Sequence, residues 1–170
     1  MNNLEAAGSM RDRDKTGGPD KADIRTHVVF RLSLFTTIAD RNGKVYFHKR
    51  FGLTIREYRI LGVIGYCQPV SMMRLVAECY LDKGQVSRVV SRLVDGGLVE
   101  RVADADSGAR GGDLILSDKG SVLLDEALKY GDELNDRALS VLSNAERQLF
   151  SEHLDRILAH ARTMFDETHE

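Results

Sequence analysis

From Lys83 to Val94 the chain sorts its side chains with helical regularity. Val86, Val89, Val90, Leu93 and Val94 follow the i, i+3, i+4, i+7, i+8 spacing of a single apolar face. Lys83, Gln85, Ser87, Arg88, Ser91 and Arg92 occupy the opposite face, and no acid interrupts the run. Such a helix has only one way to sit: valines inward, cations outward. Asp82 is suited to cap its first turn, with Gln85 three residues on in the reciprocal capping-box position. Gly96-Gly97 ends it, since glycine readily takes the left-handed conformation that follows a helix.

The flanking segments set the order of elements. Residues 1–22 are polar, carry Gly17-Gly18-Pro19 and alternate charges through Arg11-Asp12-Arg13-Asp14-Lys15, which predicts a disordered tail. A helix begins near Asp23 with Val28, Leu32, Phe35 and Ile38 in phase. Asn42-Gly43 predicts a bend or an early end, Val45-Tyr46-Phe47 resume the pattern, and Gly52 is the expected stop. Thr54-Ile55-Arg56-Glu57 is a capping box opening a second helix, which Pro69 closes. Ser71 caps a short third helix with Met72, Leu75, Val76 and Cys79 on one face. After the cationic helix, residues 98–102 and 114–116 read as the two strands of a hairpin with a long tip over Asp104–Gly112. Ser117 opens a long fifth helix with Val122, Leu124, Leu128, Leu134, Ala138 and Val141 roughly in phase, weakened at its centre by Gly131. Ser143-Asn144-Ala145-Glu146 opens a sixth, whose wide stripe runs from Leu149 to Phe165. The expected fold is therefore mainly α with a small β-hairpin. A central lobe spans residues 54–117, and helical regions spanning 23–53 and 118–168 flank it.

A short helix, a brief turn, a cationic helix and a hairpin make a winged helix-turn-helix. One helix fits the DNA major groove, roughly 12 Å wide, and presents side chains to base edges. Arg88 and Gln85 have the chemistry to read bases, Ser87 and Ser91 are small enough to allow close approach, and Lys83 and Arg92 suit phosphates. Arg110, near the hairpin tip, is placed to enter a minor groove, where the potential is most negative.

The run Asp82-Lys83-Gly84-Gln85-Val86-Ser87-Arg88-Val89-Val90-Ser91-Arg92-Leu93-Val94-Asp95-Gly96-Gly97-Leu98-Val99-Glu100-Arg101 resembles the recognition helix and first wing strand of MarR-family (multiple antibiotic resistance) regulators. Phe51 to Leu61 is similar to that family's entry to its second helix, and Leu116-Ser117-Asp118-Lys119-Gly120 to the exit from its wing. The resemblance covers about residues 25 to 165. It implies a homodimer with interlocked first, fifth and sixth helices. It also implies a pseudo-palindromic double-stranded DNA operator and, usually, repression. A small aromatic or phenolic acid effector would bind between the DNA lobe and the dimer base, where Phe35, Tyr46, His48, Tyr58 and Arg59 are candidates by position. Two departures stand out: Tyr80 occupies a turn position where the family often has a small residue, and the wing carries one arginine, Arg110, where two or more are usual.

Composition bounds the remaining classes. The formal net charge is −2 over 170 residues, so any DNA footprint is local. The acidic balance, with Asp95, Glu100, Asp104 and Asp106 around the basic face, motivates an alternative: a winged-helix protein-interaction module that binds no DNA. No apolar run reaches the roughly 18 residues of a membrane span, and two cysteines without a secretory signal fit a reducing cytoplasm. No nucleophile elbow, phosphate-cradling loop or paired-carboxylate signature appears, so no enzyme activity and no cofactor are expected. Cys79 continues an apolar stripe and reads as a structural thiol. Thiol sensors in the resembling family lie in the first helix, which has no cysteine here. His153 and His160 lack a further ligand at metal spacing and read as interface or surface residues. The helices outside the lobe carry more apolar surface than about 65 residues can cover, which predicts a two-fold dimer with its reading helices about 34 Å apart.

Overall fold

The computed structural model describes residues 23–102 and 112–169; the expected tail and the hairpin tip with Arg110 lie outside them. The chain divides into two units, Met1–Ile38 and Ala39–Glu170. In the first, Asp23 caps a single 3-10 turn (Ile24–Thr26) by accepting from the Arg25 amide. The Arg25 guanidinium on its carboxylate holds the Asp23 pKa below the usual value. The long helix α1 (Val28–Phe51) begins here. Val28, Val29, Leu34, Phe35 and Ile38 are exposed.

In the second unit α1 continues without interruption through Asn42-Gly43, contrary to the expected bend or stop. Gly43 is buried, and Ile55 packs where its side chain would be. Gly52, at φ +68°, then ends the helix as its sequence position suggests. Helices α2 (Ile55–Cys67), α3 (Met72–Cys79) and α4 (Lys83–Asp95) follow, each opened by the anticipated cap: Thr54, Ser71 and Asp82. Strands β1 (Val99–Val102) and β2 (Asp113–Leu116) pair antiparallel, with Val99 opposite Leu116 and Val102 opposite Asp113. Val70 adds two backbone bonds to Leu114, of 3.1 and 2.9 Å, and Gln68 Oε1 accepts the Leu116 amide at 2.7 Å. The root of the hairpin is thereby laced to the link between α2 and α3. Helices α5 (Asp118–Ala138) and α6 (Asn144–His169) complete the chain.

The core is assembled around α4. Val86, Val89, Val90 and Leu93 are at most 2% exposed and pack with Ile60, Leu61, Ile64, Leu75, Val99 and Leu114. Each such burial is worth about 1.5–3 kcal/mol, so this face alone fixes the rotation of the helix. Phe47 and Phe51 join the core through an aromatic cluster with Tyr58 and Tyr130, with ring centroids 4.6–5.9 Å apart.

Helix α5 departs from its expected stripe. Val122 and Leu128 are exposed, and Val141 lies beyond the helix and is open to solvent. Leu124 is buried and Leu134 packs against the core as expected, and the buried face is completed by Gly120 and Ala127. A stripe drawn through large apolar residues misses the two small members of that face, Gly120 and Ala127. At Gly120 the approach is closest, for a Cβ there would overlap the Leu98 carbonyl oxygen. That oxygen accepts the Ser117 amide at 3.1 Å. Ser117 Oγ donates to Gly97 O at 2.7 Å, and Lys119 Nζ donates to Gly96 O at 2.8 Å. The first turn of α5 therefore satisfies carbonyls left open beyond the end of α4. Gly120→Ala is expected to destabilise by about 1–3 kcal/mol or more, because the obstacle is backbone and cannot swing aside. A urea-unfolding midpoint equal to that of the unsubstituted chain would contradict the contact.

Candidate nucleic-acid interface

Helix α4 presents the face that its sequence promised. Lys83, Arg88, Ser91 and Arg92 are exposed, and Gln85 and Ser87 are half-buried at the margin. Asp82 Oδ1 accepts the Gln85 amide at 3.1 Å, which satisfies a free donor of the first turn. The reciprocal half of the expected capping box is not formed. The Gln85 side-chain oxygen instead accepts from Arg56 Nη1 at 3.1 Å.

Helix α2 supplies a second tie. Glu57 completes the Thr54 capping box, with Oε2 accepting the Thr54 amide at 2.8 Å. Its other oxygen meets Arg92 Nε at 2.8 Å. Glu57 is 9% exposed, whereas the Arg92 side chain stays 60% exposed. Two successive residues of α2 thus hold α4 at positions seven apart, which share one helical face. Sequence reasoning gave Glu57 only its capping role and gave Arg56 none. The partners lie 29 and 35 residues away, and nothing local marks them. Lys83 and Arg88 have no hydrogen-bond or ion-pair partner among the described residues. Ser71 and Arg74 lie at the start of α3, where Arg74 faces Glu78 at 3.8 Å.

The turn between α3 and α4 pivots on Tyr80, which adopts a left-handed conformation at φ 49° and ψ 38°. Glycine is the usual residue there, and a tyrosine held so carries strain. Its ring meets Phe165 edge-on at 5.4 Å, and Arg162 lies over it at 5.8 Å. The departure from a small residue thus brings the end of α6 to this turn.

Beside α2 lies an open cavity of about 1060 Å³. Of the five effector candidates it is lined by Tyr58 and Arg59, and not by Phe35, Tyr46 or His48. Tyr46 is exposed with its ring 6.5 Å from Tyr130, and Phe35 and His48 are also exposed. Arg59 is clamped by Asp40, with contacts of 2.6 and 3.3 Å. Burial, then Asp132, pushes the Tyr58 phenol above its ordinary pKa, so it stays neutral. Gly131, read as a weak point of α5, makes room for the Tyr58 hydroxyl. The wall also includes Lys44, Arg56, Cys67 and Cys79, which sequence reasoning did not place there. Burial, then Glu78 and Cys67, raises the Cys79 thiol pKa, the setting of an inert thiol and not a reactive one.

Residues 51–110 match the MarR family model, spanning the capping box of α2, the turn at Tyr80, α4 and β1 in the order described. The likeness to the MarR family model lies in the winged-helix lobe. The MarR fold extends to the flanking helices. The chain is similar to a MarR/EmrR family transcriptional regulator from Acinetobacter sp. ADP1, with 20% identity and a TM-score of 0.74 over 84% of this chain and 99% of that one. It is 28% identical to a probable transcriptional regulator from Pseudomonas aeruginosa, over 79% and 99% of the two chains, with a TM-score of 0.67. It also matches the S. aureus MepR–DNA complex, at 18% identity and a TM-score of 0.69 over 79% and 98%. None of the curated protein sequences matches the chain.

Within this lobe, Glu57 is the residue on which both α2 and α4 lean. Glu57→Ala removes one cap acceptor and leaves Arg92 without its carboxylate. The expected cost is about 1–3 kcal/mol, read as a lowered thermal midpoint. Glu57→Gln keeps an acceptor and should fall between. Equal midpoints for all three chains would show the tie to be idle.

Proposed function

We propose that this chain is a homodimeric, sequence-specific double-stranded DNA-binding transcription regulator, a cytoplasmic repressor relieved by a small aromatic acid. The observation that carries the reading is α4, with its valine face buried to 2% or less and Lys83, Arg88 and Ser91 free on the other side. A related fold bound to DNA, that of S. aureus MepR, supports it. Arg88 and Gln85 read base edges, and Ser87 and Ser91 let the helix approach. Lys83 anchors a phosphate, and Arg110 at the wing tip enters the minor groove. Arg92 has a double duty: a guanidinium carries five N–H donors, and Glu57 engages only one edge of it. The cavity beside α2 takes the effector, with Arg59, Arg56 and Lys44 as cationic groups and Tyr58 as a neutral hydroxyl.

Arg88→Ala is expected to weaken binding to a selected duplex by about 1–3 kcal/mol and to relax its sequence preference. Arg92→Ala should weaken all duplexes alike and make the salt slope shallower by about one unit. Fluorescence anisotropy with selected and random duplexes over a salt series measures both. Unchanged affinity in both variants would overturn these roles. Absence of binding to any duplex at low salt would favour a protein-interaction module instead.

Dimerisation rests on surfaces that one chain leaves wet. No described side chain of α6 is buried, and Leu149, Phe150, Ile157, Leu158 and Met164 are 40–54% exposed. Helix α1 adds Leu34, Phe35 and Ile38, all 46–51% exposed. Large apolar side chains left open along one helix favour burial against a second copy. Sedimentation is expected to give twice the 19.0 kDa of the chain. Asp at both Ile157 and Leu158 should return the monomer mass, and a monomeric unsubstituted chain at micromolar concentration would refute the assembly.

A further inference from the structure

We infer that Arg56, on α2, is a positioning residue for base reading: by holding the side-chain oxygen of Gln85 it makes that residue a hydrogen-bond donor toward DNA and excludes cytosine at the position it reads. The inference rests on the DNA-reading function proposed above and assigns to it a residue outside the recognition helix.

The geometry is specific. Gln85 sits in the first turn of α4, its own amide capped by Asp82. Its side-chain oxygen accepts from Arg56 Nη1 at 3.1 Å. A free glutamine amide can turn over, exchanging its oxygen for its NH2 group. Beside a guanidinium it cannot do so without loss, because arginine offers donors only and the NH2 group is also a donor. Arg56 therefore selects one of the two amide orientations. The selection is stiffened by its neighbour: Glu57 bonds Arg92 at 2.8 Å, so the α2 turn that carries Arg56 is tied to α4 two helical turns beyond Gln85.

The consequence follows from the edges of the bases. In the major groove guanine offers N7 and O6, adenine N7 and thymine O4, all acceptors. Cytosine offers only the N4 donor. A Gln85 whose NH2 group is turned outward matches the first three and opposes the fourth. The bidentate pairing of glutamine with adenine needs the oxygen presented to the base beside the NH2 group, and an amide oriented by Arg56 directs that oxygen to the guanidinium, so no sharp preference for adenine over guanine is expected. Without Arg56 the amide turns freely, the oxygen can accept from cytosine N4, and the exclusion is lost.

The test is selection from a random duplex pool followed by anisotropy on single-position variants of the selected site. The full chain, Arg56→Ala, Arg56→Lys, Gln85→Ala and the double Arg56→Ala/Gln85→Ala are compared. The unsubstituted chain should bind the cytosine variant at one position per half-site on the order of tenfold more weakly than the purine variants. Arg56→Ala should erase that difference at the same position, leave the other positions unchanged, and keep the same thermal midpoint to within the scatter of a surface substitution. Arg56→Lys retains a donor facing the oxygen and should restore part of the exclusion. Gln85→Ala should flatten the same position, and the double variant should match it. Should Arg56→Ala keep the cytosine exclusion, or lower affinity uniformly with a shallower salt slope, Arg56 is a phosphate contact or a bystander and the inference fails. If the unsubstituted chain binds duplex with no sequence preference at all, the DNA-reading function itself fails, an outcome separable from the first because no variant is needed to see it.

Discussion

Four side chains on one face of α4, Val86, Val89, Val90 and Leu93, leave solvent almost completely, and their burial decides where every polar group of that helix points. At about 1.5–3 kcal/mol each, they outweigh any polar contact the helix makes. The polar contacts have a different task. A valine face tolerates small rotations and slides along the axis; a carboxylate bonded at 2.8 Å and a guanidinium bonded at 3.1 Å do not. Apolar burial chooses the face of α4, Glu57 ties its end at Arg92, and Arg56 sets the orientation of the Gln85 amide.

Much of this was legible in advance, and the reason is range. Caps at Thr54, Ser71, Asp82 and Ser117 depend on residues within three positions, and all four form. The apolar face of α4 and the two strands are periodic signals of the same kind. Contacts between distant segments were not legible. Arg56 with Gln85 and Val70 with Leu114 join residues 29 and 44 apart, and no neighbouring residue announces them. Helix α5 failed differently. Its inward face joins Leu124, which the stripe included, to Gly120 and Ala127, small residues that let backbones approach; a reading that follows bulk missed those two and added the exposed Val122 and Leu128. Of the candidate site, the cationic face stood in one helix and was visible. The cavity draws its wall from several helices, so position alone found Tyr58 and Arg59 and missed Arg56 and Lys44.

Helix α2 has two working sides within its first turns. Arg56 and Glu57 reach α4, while Tyr58 and Arg59 face the cavity, and Arg56 also lines it. A group bound there that draws Arg56 Nη1 to itself competes with Gln85 for that nitrogen. Linkage then requires the effect to run both ways: whatever strengthens the hold of Arg56 on Gln85 weakens the ligand by the same factor.

The joint at Gly120 has a mechanical meaning. With no side chain between them, the Leu98 carbonyl and the first turn of α5 sit in direct backbone contact, and the Ser117 amide bonds the same oxygen. There is no soft layer to absorb relative motion. The root of the hairpin and the head of the 21-residue α5 are therefore joined backbone to backbone, with no side chain at Gly120 to repack between them.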